Sequence, residues 1–269
     1  MLQSERQEKV LTHLAHNDYL GLAQAVDMLR ASPATINRDF NDLANRKLIE
    51  RVRGGIRLKR RLNEMLSFAQ RKLEFSTEKN DLARKAVSQI TPGQVIFVDG
   101  GTTTYHMGMY LPDMAVHVIT NSLRLASLLE DTAIDQASVE VTLTGGYLYK
   151  QLGILLGPNT NSCIAQYHAD VAFLSIGGIS ASGIFNTNEL VTEIEKMMIK
   201  NADKTVVLAD HSKIGKQSMC HVCDLEQIDL LITDHWPEND PTLDTFQNSG
   251  IEIIRIEHNH SDNLQTLQV

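Results

Sequence analysis

LGLAQAVDMLRASPATINRD, residues 20–39, predicts two short helices joined by a tight turn. The first helix spans 22–30 and carries one apolar face. Ser32 offers a side-chain oxygen that can cap the second helix, and Pro33 suits its first position because proline has no N–H to satisfy there. Two helices joined in this way can place the second one in the major groove of DNA. We therefore interpret this stretch as a candidate DNA-reading unit.

The second helix separates buried positions from exposed ones. The spacing of Ile36, Phe40 and Leu43 predicts a face that packs into a core. A further helix, predicted over 3–16, packs under these two helices. Asparagine can pair with adenine, and arginine with guanine or phosphate. The residues at the start of this helix that we expect to face DNA are Ser32, Ala34, Thr35, Asn37, Arg38 and Asn41.

A basic hairpin is predicted directly after these helices. The sequence LIERVRGGIRL, residues 48–58, alternates around Gly54-Gly55, which is a hairpin turn signal. Arg51, Arg53 and Arg57 would then contact phosphates or an adjacent minor groove. Together the helices and the hairpin predict a winged helix-turn-helix domain, mainly α with a small β-wing, over residues 1–58.

The distribution of charge supports a nucleic-acid partner, although the total charge does not. The formal net charge is -8. Residues 1–60 hold 11 basic and 7 acidic residues, a net of +4, so the remainder holds 14 basic and 26 acidic residues, a net of -12. The most basic stretch, 46–61, holds eight basic residues against one acidic residue, Glu50. This asymmetry is typical of a protein with a DNA-facing end.

Composition excludes several other classes. Three cysteines, Cys163, Cys220 and Cys223, are too few and too unevenly placed for a disulfide framework. The N-terminal sequence lacks the apolar core of a signal peptide, and no apolar run reaches the length of about 18 residues that a membrane span needs. We therefore expect a soluble cytoplasmic protein that does not contact a membrane.

The rest of the chain predicts a second domain of a different class. Residues 59–80 are highly charged and predict a linker that is partly helical, and 258–269 form a polar tail. Between them, over 81–257, short apolar strands alternate with helices, for example VIFV at 95–98 and VHVIT at 116–120. This alternation predicts an α/β domain with a largely parallel sheet.

Polar loops follow these strands and predict a ligand site. On an open α/β sheet, ligands bind outside the carboxyl ends of the strands, and glycines there allow the backbone to approach an anion. Neither GxxxxGK[ST] nor a GxGxxG after a strand occurs, so we expect neither a nucleotide nor any other cofactor. The candidate ligand-binding residues in these loops are Asp99, Gly101, Thr102, Thr103, Thr104, Asn121, Ser122, Gly145, Gly146 and Lys213.

Over nearly its full length the chain resembles the DeoR family of bacterial transcriptional regulators. The motifs that carry the resemblance are, in order, SPATINRDF from Ser32, LIERVRGG from Leu48, DGGTT from Asp99, TNS from Thr120, TGG from Thr144, Glu193 within a helix, and DHSKIG from Asp210. The resemblance implies a C-terminal sensor similar to the ribose-5-phosphate isomerase and CoA-transferase folds. It also implies a repressor of a carbohydrate-catabolic operon that binds operator DNA and senses a phosphorylated sugar or related metabolite. Glu193 joins the effector-binding set on this ground, and symmetry arguments favour a homo-oligomer, either a dimer or a tetramer.

This sequence departs from the family pattern at both ends. The recognition helix usually has two adjacent arginines, whereas the first of these positions is Asn37 here; Lys47 and Arg53 replace the usual glycine and histidine. The stretch that commonly reads Gly-x-Asp-Gly is Ser175-Ile-Gly-Gly, and Glu195 stands where the sensor helix usually has lysine. These changes predict a different operator and bear on the identity of the effector.

Three alternatives remain at this point. A sugar-phosphate isomerase or transferase would use a carboxylate as general base, with Asp99, Glu193 and Asp210 as candidates, but the loop SIGGIS lacks an acid. The spacing of Cys220 and Cys223 is that of a metal site, yet no second such pair exists, so we expect a loop with two incidental cysteines and no metal. A plain interaction module would explain neither the recognition helix nor the polar loops.

Overall fold

The computed structural model describes residues 3–17, 19–46, 48–58, 68–131 and 139–257. Two compact units divide the chain, Met1–Ser76 and Thr77–Val269, and each is described by itself below. Within the described ranges, no helix combines the length and the apolar character that a membrane span requires.

The N-terminal unit contains the predicted helices and the predicted hairpin. Ile36, Phe40 and Leu43 are fully buried, together with Val10 and Leu14 of the first helix, so the predicted core is confirmed. The elements of this unit are α1 (Gln3–His16), β1 (Leu20–Gly21), α2 (Leu22–Leu29), α3 (Pro33–Asn45), β2 (Ile49–Val52), β3 (Gly55–Leu58) and α4 (Phe68–Leu73).

The turn between α2 and α3 follows from two local features. Arg30 ends α2 in the left-handed conformation, with a φ of 48°, which reverses the chain direction. The Ser32 hydroxyl accepts a hydrogen bond from the Thr35 backbone N–H at 3.2 Å, and Pro33 is the first residue of α3. Both predicted helix-start signals are confirmed, and they fix where the recognition helix begins.

The wing has one more strand than the sequence predicted. It is a three-stranded antiparallel sheet of order β1-β3-β2, in which β1 pairs with β3. Gly55 allows this close pairing, because a Cβ atom there would lie 2.2 Å from the carbonyl oxygen of Leu20. A two-residue strand has no periodicity of its own, so pattern analysis could not find it.

Part of the predicted linker is ordered helix. Of residues 59–80, the structure describes 68–80, where α4 is followed by the first turns of α5 (Ser76–Val87). Phe68 is buried, and α4 belongs to the N-terminal unit. Residues 59–67, Lys47 and the predicted tail 258–269 lie outside the described residues.

The C-terminal unit is built on alternating strands and helices. Its helices after α5 are α6 (Thr102–Tyr105), α7 (Leu123–Glu130), α8 (Pro158–Ile164), α9 (Glu189–Lys200) and α10 (Asp240–Asn248). Its strands are β4 (Val95–Val98), β5 (Val116–Thr120), β6 (Val139–Leu143), β7 (Tyr147–Tyr149), β8 (Ile154–Leu156), β9 (Ala169–Ser175), β10 (Gly178–Ser180), β11 (Gly183–Asn186), β12 (Ala202–Leu208), β13 (Cys220–Cys223), β14 (Leu230–Asp234) and β15 (Glu252–Ile256).

The main sheet has seven strands in the order β15-β14-β12-β9-β4-β5-β6, and every pairing is parallel. The predicted parallel α/β fold is therefore confirmed. The apolar side chains of the central strands are buried among the helices, as expected of a parallel sheet. All seven strands end on the same edge, which is the edge where the sequence placed its polar loops.

Two additions to the sheet were not predicted. The hairpin β7-β8 leads into α8, and β10, β11 and β13 form a separate antiparallel sheet. The stretch Cys220–Cys223, predicted as a loop, is strand β13, so that prediction was wrong. These strands have three or four residues each, too few for a periodic signal, and the pairing of β11 with β13 joins residues that are distant in sequence.

Candidate DNA-reading surface and effector site

Helix α3 presents the expected residues at its N-terminal half. Ala34, Arg38 and Asn41 are exposed, whereas Thr35 and Asn37 are half-buried. The hydroxyls of Ser32 and Thr35 lie 2.9 Å apart and form part of the helix cap. Ala34, Arg38 and Asn41 are therefore accessible to solvent, and the Ser32 and Thr35 hydroxyls also take part in capping the helix.

Asn37 is already held by two hydrogen bonds. Its Nδ2 donates to the Pro33 carbonyl oxygen at 3.0 Å, and its Oδ1 accepts from Arg51 Nη2 at 2.7 Å. Arg51 Nη1 also donates to Asn41 Oδ1 at 3.2 Å. The side chain of Arg51 thus lies against α3, although the sequence placed it with the phosphate contacts of the wing.

The other two wing arginines differ from Arg51. Arg53 is exposed beside the Gly54-Gly55 turn. The guanidinium of Arg57 forms an ion pair with Glu50 across the two strands, which offsets its charge. Arg53 therefore remains the best candidate among the three for a contact with the DNA backbone.

The sheet order brings the predicted polar loops side by side. Strands β12, β9, β4, β5 and β6 are successive neighbours, and adjacent strands lie about 4.8 Å apart. Their carboxyl ends lead into Asp210, Ser175, Asp99, Asn121 and Thr144 respectively. The sequence could identify each loop, but only this order shows that they share one edge.

Two predicted ligand-binding residues have structural roles instead. Thr104 is fully buried; its hydroxyl donates to the Asp99 carbonyl oxygen at 2.7 Å and accepts from the Gly101 N–H at 3.0 Å. The Ser122 hydroxyl accepts from the Leu125 N–H at 3.2 Å and caps α7. We therefore remove Thr104 and Ser122 from the set that contacts an effector directly. Thr102 and Thr103 remain, buried at the start of α6.

Glycines at the strand ends give the backbone close approaches. A Cβ atom on Gly101 would lie 2.1 Å from Ser175 Cβ, so the loop after β4 packs directly on the end of β9. Gly145 and Gly146 are exposed and have φ values of 68° and 120°, which side chains disfavour. The Thr160 hydroxyl donates to the Gly145 carbonyl oxygen at 2.7 Å and holds this loop.

The loop after β12 combines an acid, a histidine and a lysine. Asp210 is buried, and its Oδ1 accepts from the Ser212 N–H at 3.1 Å. Lys213 follows in a short 3₁₀ turn and is half-exposed. An ammonium group at this strand end is the one charge in the predicted set that attracts a phosphate.

His211 and Trp236 form a stacked pair that the sequence did not indicate. The His211 ring lies 2.5 Å from Asp234 Oδ2 through Nδ1 and 4.4 Å from the Trp236 ring centre, at an interplanar angle of 13°. Burial lowers the pKa of His211, but the hydrogen bond and charge of Asp234 outweigh it and leave the pKa raised. Trp236 is the single tryptophan of the chain.

Glu195, rather than Glu193, is the acid that α9 places inside the unit. Glu193 is exposed and its role in the site stays a prediction, whereas Glu195 is fully buried. The Asn186 amide donates to Glu195 Oε1 at 2.6 Å. Burial and then the charge of Asp99 raise the pKa of Glu195 well above its usual range, and the Asn186 hydrogen bond opposes them. The spacing of Glu195 from Val191, i and i+4 on the apolar face, was the signal that could have found it.

Two buried acceptor oxygens at the strand ends, Asn121 Oδ1 and Asp210 Oδ2, lack a hydrogen-bond partner within the described part of the chain. One carboxyl oxygen of α9, Glu195 Oε2, also lacks one. Buried polar atoms in native proteins are nearly always satisfied, so such atoms mark positions where a ligand or an ordered water can donate. In the described ranges, no cluster of three or more His, Cys, Asp or Glu side chains is arranged to hold a metal ion.

A basic winged helix joined to a parallel α/β unit with a polar strand-end site is the architecture of a ligand-responsive DNA-binding regulator. Two family models match the chain: the DeoR-like helix-turn-helix domain over residues 6–61 and the DeoR C-terminal sensor domain over residues 74–235. The chain belongs to the DeoR family of DNA-binding transcriptional regulators.

Full-length relatives agree with this assignment. The HTH-type transcriptional repressor GlcR of Bacillus subtilis is 34% identical, over 94% of this chain and 96% of its own length. The regulator GlpR of Haloferax volcanii is 32% identical over 94% and 98%, and UlaR of Shigella dysenteriae 30% identical over 95% and 100%.

Solved structures are more distant. Ribose 5-phosphate isomerase A of Methanocaldococcus jannaschii matches with a TM-score of 0.37 and 21% identity, over 52% of this chain and 54% of its own. The eIF2B beta chain of Chaetomium thermophilum matches with a TM-score of 0.40 and 12% identity, over 61% and 49%. Matches at this distance do not bear on activity.

Proposed function

We propose that this regulator represses a carbohydrate-catabolic operon and that a phosphorylated sugar, or a related metabolite, controls it from the strand-end site. It acts in the cytoplasm as a homo-oligomer, a dimer or a tetramer, which presents its wings to spaced half-sites. The names of the relatives support repression: GlcR is a repressor, and the Haemophilus influenzae relative, 31% identical, is the glycerol-3-phosphate regulon repressor.

One observation carries the effector proposal: two buried oxygens without partners, Asn121 Oδ1 and Asp210 Oδ2, share an edge with a lysine. A hydroxyl group both donates and accepts, so the hydroxyls of a sugar satisfy the oxygens of Asn121 and Asp210. A phosphate has no proton to spare at neutral pH and cannot do this. Lys213 and the glycine loops suit the phosphate instead, because they offer a positive charge and backbone N–H groups. The two chemistries together define a phosphorylated polyol.

We propose that the protein does not turn its effector over. Of the three carboxylates that could act as base in an isomerase, Glu193 is exposed and points away from the packed face of α9. The relatives are named as regulators, not as enzymes. Isomerisation of a sugar phosphate by the purified protein would favour the enzyme alternative.

The function is tested by a gel-shift assay on the DNA upstream of the chain's own gene, with a panel of sugar phosphates and the matching free sugars. We expect salt-sensitive binding, because each neutralised phosphate of DNA releases counterions, and we expect one phosphorylated sugar to release it. Fluorescence of Trp236 and thermal shift report effector binding independently of DNA. An effect of the free sugar equal to that of its phosphate would contradict the proposed chemistry.

Lys213→Ala is expected to leave DNA affinity unchanged and to weaken the effector response about 10- to 100-fold, the range of one charge-assisted hydrogen bond. The effector concentration that releases half of the DNA measures this change. Lys216→Ala, at an exposed lysine three residues later, is the matched control and should behave as the wild type. A normal response from Lys213→Ala would overturn the placement of the phosphate.

A further inference from the structure

We infer that Arg51 reads a base in the operator, a guanine in the major groove, and that Asn37 and Asn41 hold its guanidinium for this purpose. The inference rests on the DNA-binding function of the winged helix. It differs from the sequence-based expectation, which gave base contacts to α3 and phosphate contacts to the wing. The observations that carry it are the two hydrogen bonds from Arg51 to α3 and the position of its guanidinium over Phe40.

Three contacts hold the Arg51 guanidinium in place. Its Nη1 and Nη2 reach Asn41 and Asn37, which are one turn apart on the same face of α3. Its Cζ lies 5.6 Å from the centre of the Phe40 ring, and Phe40 is fully buried in the core. A planar group held at two corners and against a ring has a defined orientation, which lowers the entropy lost when it binds.

Arg51 keeps unused N–H donors and its positive charge for a further partner. A guanidinium has five N–H groups, of which two are used here, so three remain. The side chain is exposed, and both partners are neutral amides, which leave its positive charge in place. Arg57 differs in this respect, because Glu50 offsets its charge. The O6 and N7 atoms of guanine accept two parallel N–H groups, which is the commonest specific contact of arginine.

Asn37 holds Arg51 and is not free to read a base itself. Its amide joins the Pro33 carbonyl to Arg51 and is half-buried, so both ends are already engaged. A bidentate contact with adenine needs the amide oxygen and nitrogen to face the base together. The structure therefore assigns Asn37 as a positioning residue for the Arg51 guanidinium.

The test uses selection from a library of 30-base-pair duplexes with a randomised centre, first with the wild-type full chain. The selected duplex and an unselected duplex then serve as specific and non-specific probes for Arg51→Lys. Lysine keeps the charge but not the planar fork, so we expect the preference for guanine at one position of each half-site to disappear. Affinity for the selected duplex should fall about 10- to 100-fold, while affinity for the unselected duplex and the salt dependence stay near wild type.

Two further variants separate base reading from other roles. Arg30→Lys is the matched control, at an exposed arginine that belongs neither to α3 nor to the wing, and should keep the selected sequence unchanged. Asn37→Ala should weaken the preference at the same guanine, because Arg51 loses one of its supports. The inference would be overturned if Arg51→Lys lost equal affinity for both probes. It would also be overturned if the wild type preferred an adenine and only Asn37→Ala lost that preference. Failure of the wild type to select any sequence would instead count against DNA recognition as a whole.

Discussion

Replacing Phe40 with alanine is expected to unfold the N-terminal unit and abolish DNA binding, while the C-terminal unit stays folded. Phe40 is fully buried between the helices of that unit, and removal of a buried phenylalanine side chain costs about 3–5 kcal/mol. A unit of this size has little stability to spare, since small domains bury a smaller share of their surface. The same change also removes the ring beneath Arg51.

Calorimetry or thermal unfolding followed by circular dichroism measures the effect. We expect one transition to move to a much lower temperature while the other stays in place. Phe40→Leu keeps most of the volume and should cost far less, and Phe173→Ala, at a fully buried position of β9, should move the other transition instead. If Phe40→Ala lowered both transitions together, the two units would not unfold separately and the premise of the experiment would be wrong.

Glu195→Gln is expected to stabilise the C-terminal unit, by an amount that grows as the pH rises. Burial, and then the charge of Asp99, raise the pKa of Glu195 above its usual value of 4.5. The folded chain therefore keeps a proton that the unfolded chain releases above that pH, so wild-type stability falls as the pH rises toward the folded-state pKa. The slope is at most about 1.4 kcal/mol per pH unit for one proton. Glutamine has no such proton, and its amide can still pair with Asn186.

Urea unfolding of both proteins between pH 4 and pH 8 checks this expectation. The curves should agree near pH 4 and diverge above it, with the glutamine variant more stable. Glu193→Gln, on the exposed side of the same helix, is the matched control and should show no such divergence. A difference that is constant with pH would show that packing, not ionisation, separates the two proteins.

Local patterns in the sequence predict the N-terminal unit well. The spacing of Ile36, Phe40 and Leu43, the cap at Ser32 and the turn at Gly54-Gly55 each depend on residues a few positions apart, and the structure confirms all three. The role of Arg51 did not follow from such patterns. Its partners Asn37 and Asn41 are 14 and 10 residues away, and only the packing of β2 beside α3 brings them together.

At the candidate effector site too, the sequence indicated local features but not contacts between distant residues. The sequence predicted Asp99, Asn121 and Lys213 as ligand-binding residues because each lies in a loop that follows an apolar strand, and this stays a prediction. It selected Glu193 where the structure buries Glu195, since a matching motif does not show which side of a helix is packed. The sequence also could not show that the Thr104 hydroxyl bonds to the backbone of its own loop, which distinguishes it from the neighbouring residues proposed to bind a ligand.

By itself the sequence determined the two classes of domain, the family, the buried face of the recognition helix and the loops that end the strands. These properties follow from periodicity and from local hydrogen bonding, which act over a few residues. The tertiary structure alone decided that β9 lies between β4 and β12, that the amide of Asn186 reaches the buried Glu195, and that a wing arginine joins the recognition helix. Those contacts join separate elements of the chain, and their free energy depends on how the elements pack, which no local pattern contains.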